Sequence, residues 1–239
     1  MLKPYRTVPI QDCGEPLLPI DLSTIALTDP PPYLQLGADY QGQSPYVLRQ
    51  GVLQALARAQ THLSQQAPGW KLLIFDAYRP LAVQQFMVDY TLAQLQQAKG
   101  LGSRALSPQE RQQLLQEVYQ VWAMPSPDSA TPPPHSTGAA IDLTLMDAQG
   151  QIVDMGGDID ELSPRSLPDY YANSPDPQAL AYQQHRNLLN QAMEAAGFLR
   201  HPEEWWHFSL GDQLWAWLYN QRHPQSSVIA RYGRVAELL

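Results

Sequence analysis

The sequence predicts an α+β fold, in which helices pack on a small antiparallel sheet within a single domain that spans residues 1–239. Strand-like and helix-like patterns are interspersed along the chain, and a short turn joins at least two of the strands. This order favours α+β over a doubly wound parallel sheet. No stretch with the composition of a linker divides the chain, and 239 residues suit one hydrophobic core.

Four helices are predicted from the spacing of their apolar residues. The first covers residues 45–66, and the second starts at Pro80, a residue type that suits the first turn of a helix. The third opens with a capping box over residues 107–110. The fourth covers residues 175–196 and ends before Gly197, because glycine readily adopts the conformation that terminates a helix.

Four strands are predicted between these helices. Residues 71–75 form an apolar run that is typical of a buried strand. Residues 139–145 alternate, so Asp142 points to the face opposite the core. Residues 151–153 pair back on that strand through a turn, and residues 205–210 form the last strand. Proline clusters predict long ordered loops, and roughly the first 30 residues are predicted to be an extended arm.

Composition excludes several classes of protein. The net charge is −8, and no basic stripe is present, so we expect no nucleic-acid partner. The longest apolar runs fall far below the ~18 residues of a membrane-spanning helix, so we expect no membrane partner. The N-terminal residues lack the apolar region of a secretory signal, which predicts a cytoplasmic protein. Because Cys13 is the single cysteine, any metal site must use His, Asp and Glu.

The segment from His135 to Asp142 places two metal-binding side chains close together. His135 lies in the loop that enters the strand, and Gly138 permits a tight turn that brings the imidazole back towards the Asp142 carboxylate. Both groups are good zinc ligands. The alternative is a loop histidine that is merely hydrogen-bonded to a strand aspartate.

The segment from Glu203 to Phe208 offers a third ligand. His207 would complete a His-Asp-His set with a fourth position open for water, which is the catalytic pattern for zinc. Glu204 would be the general base, provided that it precedes the strand, because positions three apart in a strand face opposite ways. The alternative is that the two tryptophans fill the core while the flanking charges are solvated.

Arg79 follows the strand predicted at residues 71–75 and lies just before the helix that starts at Pro80. A guanidinium at the end of a strand can reach a cleft and stabilise an oxyanion with paired N–H donors. An ordinary Arg–Glu pair at the surface is the alternative.

Together, these segments resemble the zinc D-alanyl-D-alanine dipeptidases of the VanX type, which belong to a group that includes zinc D,D-carboxypeptidases and the hedgehog N-terminal domain. The family pattern Ser-x-His-x-x-Gly-x-Ala-x-Asp is matched from His135 to Asp142, Glu-Trp-Trp-His is present at residues 204–207, and Asp-Ala-Tyr-Arg-Pro is intact at residues 76–80. The family serine two positions before the first ligand is replaced here by Pro133.

The resemblance implies a hedgehog/D,D-peptidase-like fold with the zinc site on the sheet face, and hydrolysis of D-Ala-D-Ala or a similar D,D-dipeptide. It implies one Zn²⁺ per chain, held by His135, Asp142 and His207. In that mechanism Glu204 is the general base and Arg79 stabilises the oxyanion. Two further residues are predicted to bind substrate: Asp160 at the substrate ammonium, and Ser136 in place of the missing serine, with Thr137 as the alternative for that hydroxyl.

Two other functions remain open at this point. The first is a peptidoglycan D,D-carboxypeptidase or endopeptidase with the same zinc set, which would need export and an open cleft. The second is a zinc-stabilised binding domain without activity, as in the hedgehog branch. The presence of both Glu204 and Arg79 disfavours the second, since a purely structural zinc needs neither.

Overall fold

The computed structural model describes residues 3–21 and 23–235. The helices in these residues are α1 (Pro32–Gln35), α2 (Gln50–Gln66), α3 (Leu81–Ala98), α4 (Pro108–Val121), α5 (Pro177–Ala195) and α6 (Gln213–Arg222). The strands are β1 (Leu17–Pro19), β2 (Ala26–Leu27), β3 (Val47–Arg49), β4 (Lys71–Asp76), β5 (Ala140–Met146), β6 (Leu199–Arg200) and β7 (His207–Ser209).

A five-stranded sheet in the order β2-β4-β5-β7-β6 forms the centre of the fold. The pairs β4–β5, β5–β7 and β7–β6 are antiparallel, whereas β2 adds to β4 in parallel. Strands β1 and β3 form a separate antiparallel pair. The predicted α+β class is therefore confirmed, with one parallel edge that the sequence did not predict.

The predicted helices are present, with shifted ends. The capping box is formed, because Ser107 and Glu110 exchange side-chain and backbone hydrogen bonds at the start of α4. Helix α2 begins at Gln50 rather than at residue 45, because the residues before it pair with β1. Helix α6 was not predicted. Within the part of the chain that the structure describes, no helix has the length and apolar character needed to cross a membrane.

Two of the predicted strands differ in extent from the observed ones. The segment at residues 151–153 makes only a single bridge, Met146 to Ile152, although Val153 N–H also donates to Leu145 O at 2.9 Å. The last strand is limited to residues 207–209. Glu204 therefore lies before the strand. This was the condition for its side chain to face the same site as His207.

The main core lies on one face of the sheet, against α2 and α5. Alternation along β5 turns Ile141, Leu143 and Leu145 into this core, and all three are fully buried. Asp142 consequently faces the other side of the sheet. A second apolar cluster is formed there by residues of α1, α3 and α4 and of the segments next to them, including Tyr33 and Trp122. Functional side chains on this second face are thus enclosed rather than left in solvent.

The N-terminal arm has more structure than an extended arm. A 3₁₀ turn covers Pro4–Thr7, β1 pairs with β3, and β2 pairs with β4. A parallel bridge joins Ile10 to Ala230. These contacts are made with distant parts of the chain, so hydrophobic periodicity within the arm could not reveal them.

Candidate active site

One row of polar side chains crosses three adjacent strands. Asp142 of β5 is paired in register with Asp76 of β4 on one side and with His207 of β7 on the other. Residues directly opposite on neighbouring strands share one face of a sheet. The register therefore gathers two carboxylates and an imidazole at one place, on the face turned away from the main core.

The turn before β5 adds a second imidazole. His135 lies in a 3₁₀ turn over Pro134–Thr137, and Gly138 ends that turn in the left-handed conformation, with φ +69°. The positive φ favours glycine, and a Cβ at this position would also lie 2.3 Å from Leu17 Cδ2 and displace that side chain. The tight turn folds His135 back over the start of β5.

His135, Asp142 and His207 form a convergent donor set. His135 Nε2 lies 3.2 Å from Asp142 Oδ2 and 3.2 Å from His207 Nδ1, and His207 Nδ1 lies 3.0 Å from Asp142 Oδ1. Tetrahedral zinc ligands at bond lengths of about 2.0–2.2 Å are separated by roughly 3.3–3.6 Å. The observed separations of 3.0–3.2 Å are slightly shorter than this, so the three donors converge on one point and would move apart by a few tenths of an ångström around a zinc ion. All three residues are buried, and they are the predicted metal set.

Hydrogen bonds around this set orient its ligands. His135 Nδ1 donates to the Ala77 carbonyl oxygen at 2.7 Å, which leaves the lone pair of Nε2 facing the site. Ser209 Oγ lies 3.4 Å from His207 Nε2 and donates to Asp212 Oδ2 at 2.9 Å. Partners of this kind fix the ring orientation of metal-binding histidines.

The protonation states suit a metal. Burial lowers the pKa of His135, so its imidazole is neutral. Burial alone would raise the pKa of Asp142, but the His135 and His207 imidazoles outweigh burial and hold that pKa below its usual range. A neutral imidazole and an ionised carboxylate are the forms that bind zinc.

Glu204 lies beside the donor set without belonging to it. Its Oε2 is 3.8 Å from His207 Nδ1, and its Oε1 is 3.6 Å from His201 Nδ1. Burial raises the pKa of Glu204 to about 8. With no metal bound, this pKa keeps the carboxyl mostly protonated at pH 7; the positive charge of a bound metal ion would favour the ionised form that a general base needs.

The closeness of His201 to Glu204 in the sequence predicts a position at the rim of the site, and the structure places His201 in the cavity wall. Its ring centroid is 5.7 Å from that of His207, and the side chain is buried in the cavity wall. Its Nδ1 accepts the Glu203 backbone N–H at 3.2 Å. Burial lowers the pKa of His201 well below its usual value, so the ring is neutral.

Arg79 is buried, which excludes the alternative of a surface ion pair. Its Nε donates to Asp76 Oδ2 at 3.0 Å, and its Nη2 donates to Asp142 Oδ2 at 3.2 Å. Nη1 donates to Gln84 Oε1 at 3.0 Å, and Nη2 also donates to the Tyr33 hydroxyl at 3.2 Å. The guanidinium is therefore held rigidly beside the donor set.

We expect Arg79→Ala to destabilise the protein as well as to inactivate it. The change would leave the buried carboxylates of Asp76 and Asp142 without their cation, which costs about 3–5 kcal/mol of unfolding free energy. Urea denaturation of the variant measures this loss. Arg111→Ala is the control, because Arg111 is exposed and lies 3.8 Å from its Asp89 partner. Equal stability of the two variants would contradict the prediction.

The two predicted substrate-binding residues differ in position. Asp160 lies in the cavity wall, and its Oδ2 accepts a hydrogen bond from the Tyr33 hydroxyl at 2.7 Å. Burial and the nearby Asp142 raise the pKa of Asp160 to about 7. Ser136 faces away from the cavity, because its hydroxyl donates to the Pro133 carbonyl at 2.8 Å. The substrate-binding role predicted for Ser136 therefore has no support in the geometry.

All the remaining predicted site residues border one partly open cavity. Its wall contains His135, Asp142, His207, Glu204, Arg79 and Asp160. The arrangement can hold a metal ion next to a general base and a cation, the combination used for metal-assisted hydrolysis.

Comparison with known proteins agrees with this chemistry. The family model described as D-ala-D-ala dipeptidase (peptidase M15) matches residues 27–229. The chain is 59% identical to a D-alanyl-D-alanine dipeptidase of Synechocystis over 98% of its length and 97% of that protein. It is 34% identical to a D-alanyl-D-alanine dipeptidase of Escherichia coli, over 72% of this chain and 70% of that one.

Among solved structures, a vancomycin-resistance D,D-pentapeptidase in complex with Zn(II) aligns with a TM-score of 0.45 and 15% identity. That alignment covers 87% of this chain and 93% of the other. The family match covers most of the chain, and its relatives include one that is similar over nearly the full length. On that evidence the chain belongs to the D-ala-D-ala dipeptidase family of peptidases.

Proposed function

We propose that residues 1–239 form a single zinc peptidase domain that hydrolyses D-Ala-D-Ala, or a similar D,D-dipeptide, to free D-amino acids. One zinc ion per chain would be held by His135, Asp142 and His207. The observation that carries the proposal is the convergence of this ligand set with Glu204 and Arg79 in one cavity. That cavity lies in a chain of the D-ala-D-ala dipeptidase family.

Glu204 would move the proton during hydrolysis. A zinc ion at this site supplies Lewis-acid chemistry, which lowers the pKa of a water molecule and polarises the scissile carbonyl. Glu204 takes a proton from the attacking water, so that the C–O bond forms as the proton leaves. The same carboxyl then delivers that proton to the departing amine as the C–N bond breaks. One water is consumed, and two amino acids are released.

Arg79 would stabilise the negative charge that develops on the carbonyl oxygen. Its Nη2 lies 3.2 Å from Asp142 Oδ2, so the guanidinium borders the place where the scissile bond must lie. Asp76 and Gln84 fix the guanidinium before substrate arrives. A donor that is already oriented costs no reorganisation when the charge forms.

Asp160 would bind the free ammonium of the dipeptide. Its carboxyl group lies in the cavity wall and accepts a hydrogen bond from Tyr33. Replacing it with asparagine keeps the size of the side chain and suits its φ of +65°, because asparagine tolerates the left-handed region. The exchange therefore tests the charge rather than the backbone.

We expect Asp160→Asn to lower kcat/KM for D-Ala-D-Ala roughly 10–100-fold, the usual worth of a hydrogen bond to a charged group. The variant should lose little activity on N-acetyl-D-Ala-D-Ala, which has no ammonium and should be a poor substrate of the unmodified protein. Steady-state kinetics on both substrates measure this. Asp158→Asn, at an exposed position nearby, is the control. An unmodified protein that cleaves both substrates equally well would contradict the role of Asp160.

The activity is tested by incubating the zinc-loaded protein with D-Ala-D-Ala, L-Ala-L-Ala and a longer peptide that ends in D-Ala-D-Ala. Chiral chromatography then measures the free D-alanine. We expect release from the D,D-dipeptide alone, loss of activity with a chelator, and recovery when zinc is restored. Equal kcat/KM for the longer peptide would indicate a D,D-carboxypeptidase instead. No release from any substrate at full zinc content would overturn the proposal.

A further inference from the structure

The N-terminal segment supplies part of the cavity wall. Lys3 and Tyr5 border the same cavity as Glu204 and His207. Both residues lie outside residues 27–229, the part of the chain that the family model matches. This wall is thus built from residues outside the family match, at the opposite end of the sequence from Glu204.

The segment is held in place by distant parts of the chain. Gln213 Nε2, at the start of α6, donates to the Val8 carbonyl at 2.7 Å and to the Ala130 carbonyl at 3.0 Å. Arg6 Nη2 donates to the Met124 carbonyl at 2.8 Å. Tyr5 is buried. These bonds fix the Pro4–Thr7 turn against α6 and keep Lys3 at the cavity mouth.

Among the described residues, two cationic side chains border the cavity, Arg79 and Lys3. They differ in how free they are to bind the carboxylate of a substrate. Arg79 is buried beside the carboxylates of Asp76 and Asp142, and its proposed role is at the scissile carbonyl rather than at the carboxylate end of the substrate. Lys3 has only a loose pair with Glu203, at 3.6 Å, and the two side chains are 29% and 60% exposed. Exposed pairs of this kind contribute little free energy, so the Lys3 ammonium can exchange Glu203 for another anion.

A free dipeptide carries a positive charge at one end and a negative charge at the other. Asp160 lies on the side of the cavity formed by Tyr33 and Arg79, whereas Lys3 pairs with Glu203, next to Glu204 in the chain. On the Asp160 side, Arg79 contacts Asp142 of the donor set at 3.2 Å; on the Lys3 side, Glu204 lies 3.8 Å from His207 of the same set. We propose that the Lys3 ammonium binds the carboxylate end of the dipeptide, and that the Pro4–Thr7 turn closes this end of the cavity.

This inference rests on the proposed function, so its test measures substrate binding separately from turnover. The parent protein carries Glu204→Gln, which suppresses turnover, and keeps its native N-terminus. Calorimetry measures its affinity for D-Ala-D-Ala and for D-alanyl-D-alaninamide, which lacks the carboxylate. Adding Lys3→Met should raise the Kd of the dipeptide roughly 10–100-fold, as expected for the loss of a charged hydrogen bond. The Kd of the amide should stay nearly constant. Lys3→Arg should preserve the preference for the dipeptide.

Lys99→Met is the matched control. Lys99 is an exposed lysine at the end of α3 that pairs with Glu117 of α4, and neither residue borders the cavity. An unchanged ratio of the two Kd values in Lys3→Met would overturn the inference, even if the unmodified protein hydrolyses the dipeptide. A Lys3-dependent ratio in a protein without turnover would support the inference and contradict the proposed function. Failure of the parent to bind the dipeptide would overturn the inference.

Discussion

Replacing Glu204 with alanine is expected to remove a factor of roughly 10²–10⁴ from the hydrolysis rate, the usual worth of general acid–base catalysis. The metal should remain, because Glu204 stands outside the donor set of His135, Asp142 and His207. The fold should remain as well, since this carboxyl group lies in a cavity wall with no short hydrogen bond to support the core. Measurements of kcat on D-Ala-D-Ala and of zinc content on the same sample check both parts.

Glu203→Ala provides the matched control for this prediction. Glu203 is adjacent in the chain but directs its side chain towards solvent, where it is 60% exposed and pairs loosely with Lys3. We expect the variant to keep a kcat close to that of the unmodified protein. Equal activities of the two alanine variants at matched zinc content would show that Glu204 is only a polar residue of its loop and has no role in catalysis.

His135→Ala is expected to remove zinc and activity together. The change deletes one of three donors and leaves Asp142 and His207, which cannot complete a three-ligand site. The loss of metal affinity should exceed the roughly 10–100-fold that follows when only an outer hydrogen-bond partner of a ligand is removed. Elemental analysis after dialysis measures the zinc, and activity on D-Ala-D-Ala is followed in parallel.

A second histidine variant separates this effect from a general loss of stability. His223 is exposed after α6, where its Nδ1 lies 3.0 Å from the Tyr219 carbonyl. His223→Ala should therefore keep both zinc and activity. Stoichiometric zinc in the His135→Ala protein would contradict the metal site, whatever its activity.

Local patterns in the sequence were sufficient for much of the architecture. The capping box at Ser107 and the alternation through Asp142 depend on residues a few positions apart, so the sequence contains all the information that they need. The same holds for the position of Glu204 before β7, which follows from strand geometry and the spacing to His207. The motifs around these residues, taken as a set, also predicted the family.

The relation between distant segments was decided only by the tertiary structure. The register that aligns Asp76, Asp142 and His207 depends on hydrogen bonds between strands far apart in the sequence, and a slip by one residue would turn each side chain to the other face. The burial of Arg79 between two carboxylates and the approach of Lys3 to the cavity likewise depend on long-range packing. Periodicity encodes which face of an element is apolar, but it does not encode which distant element will cover that face.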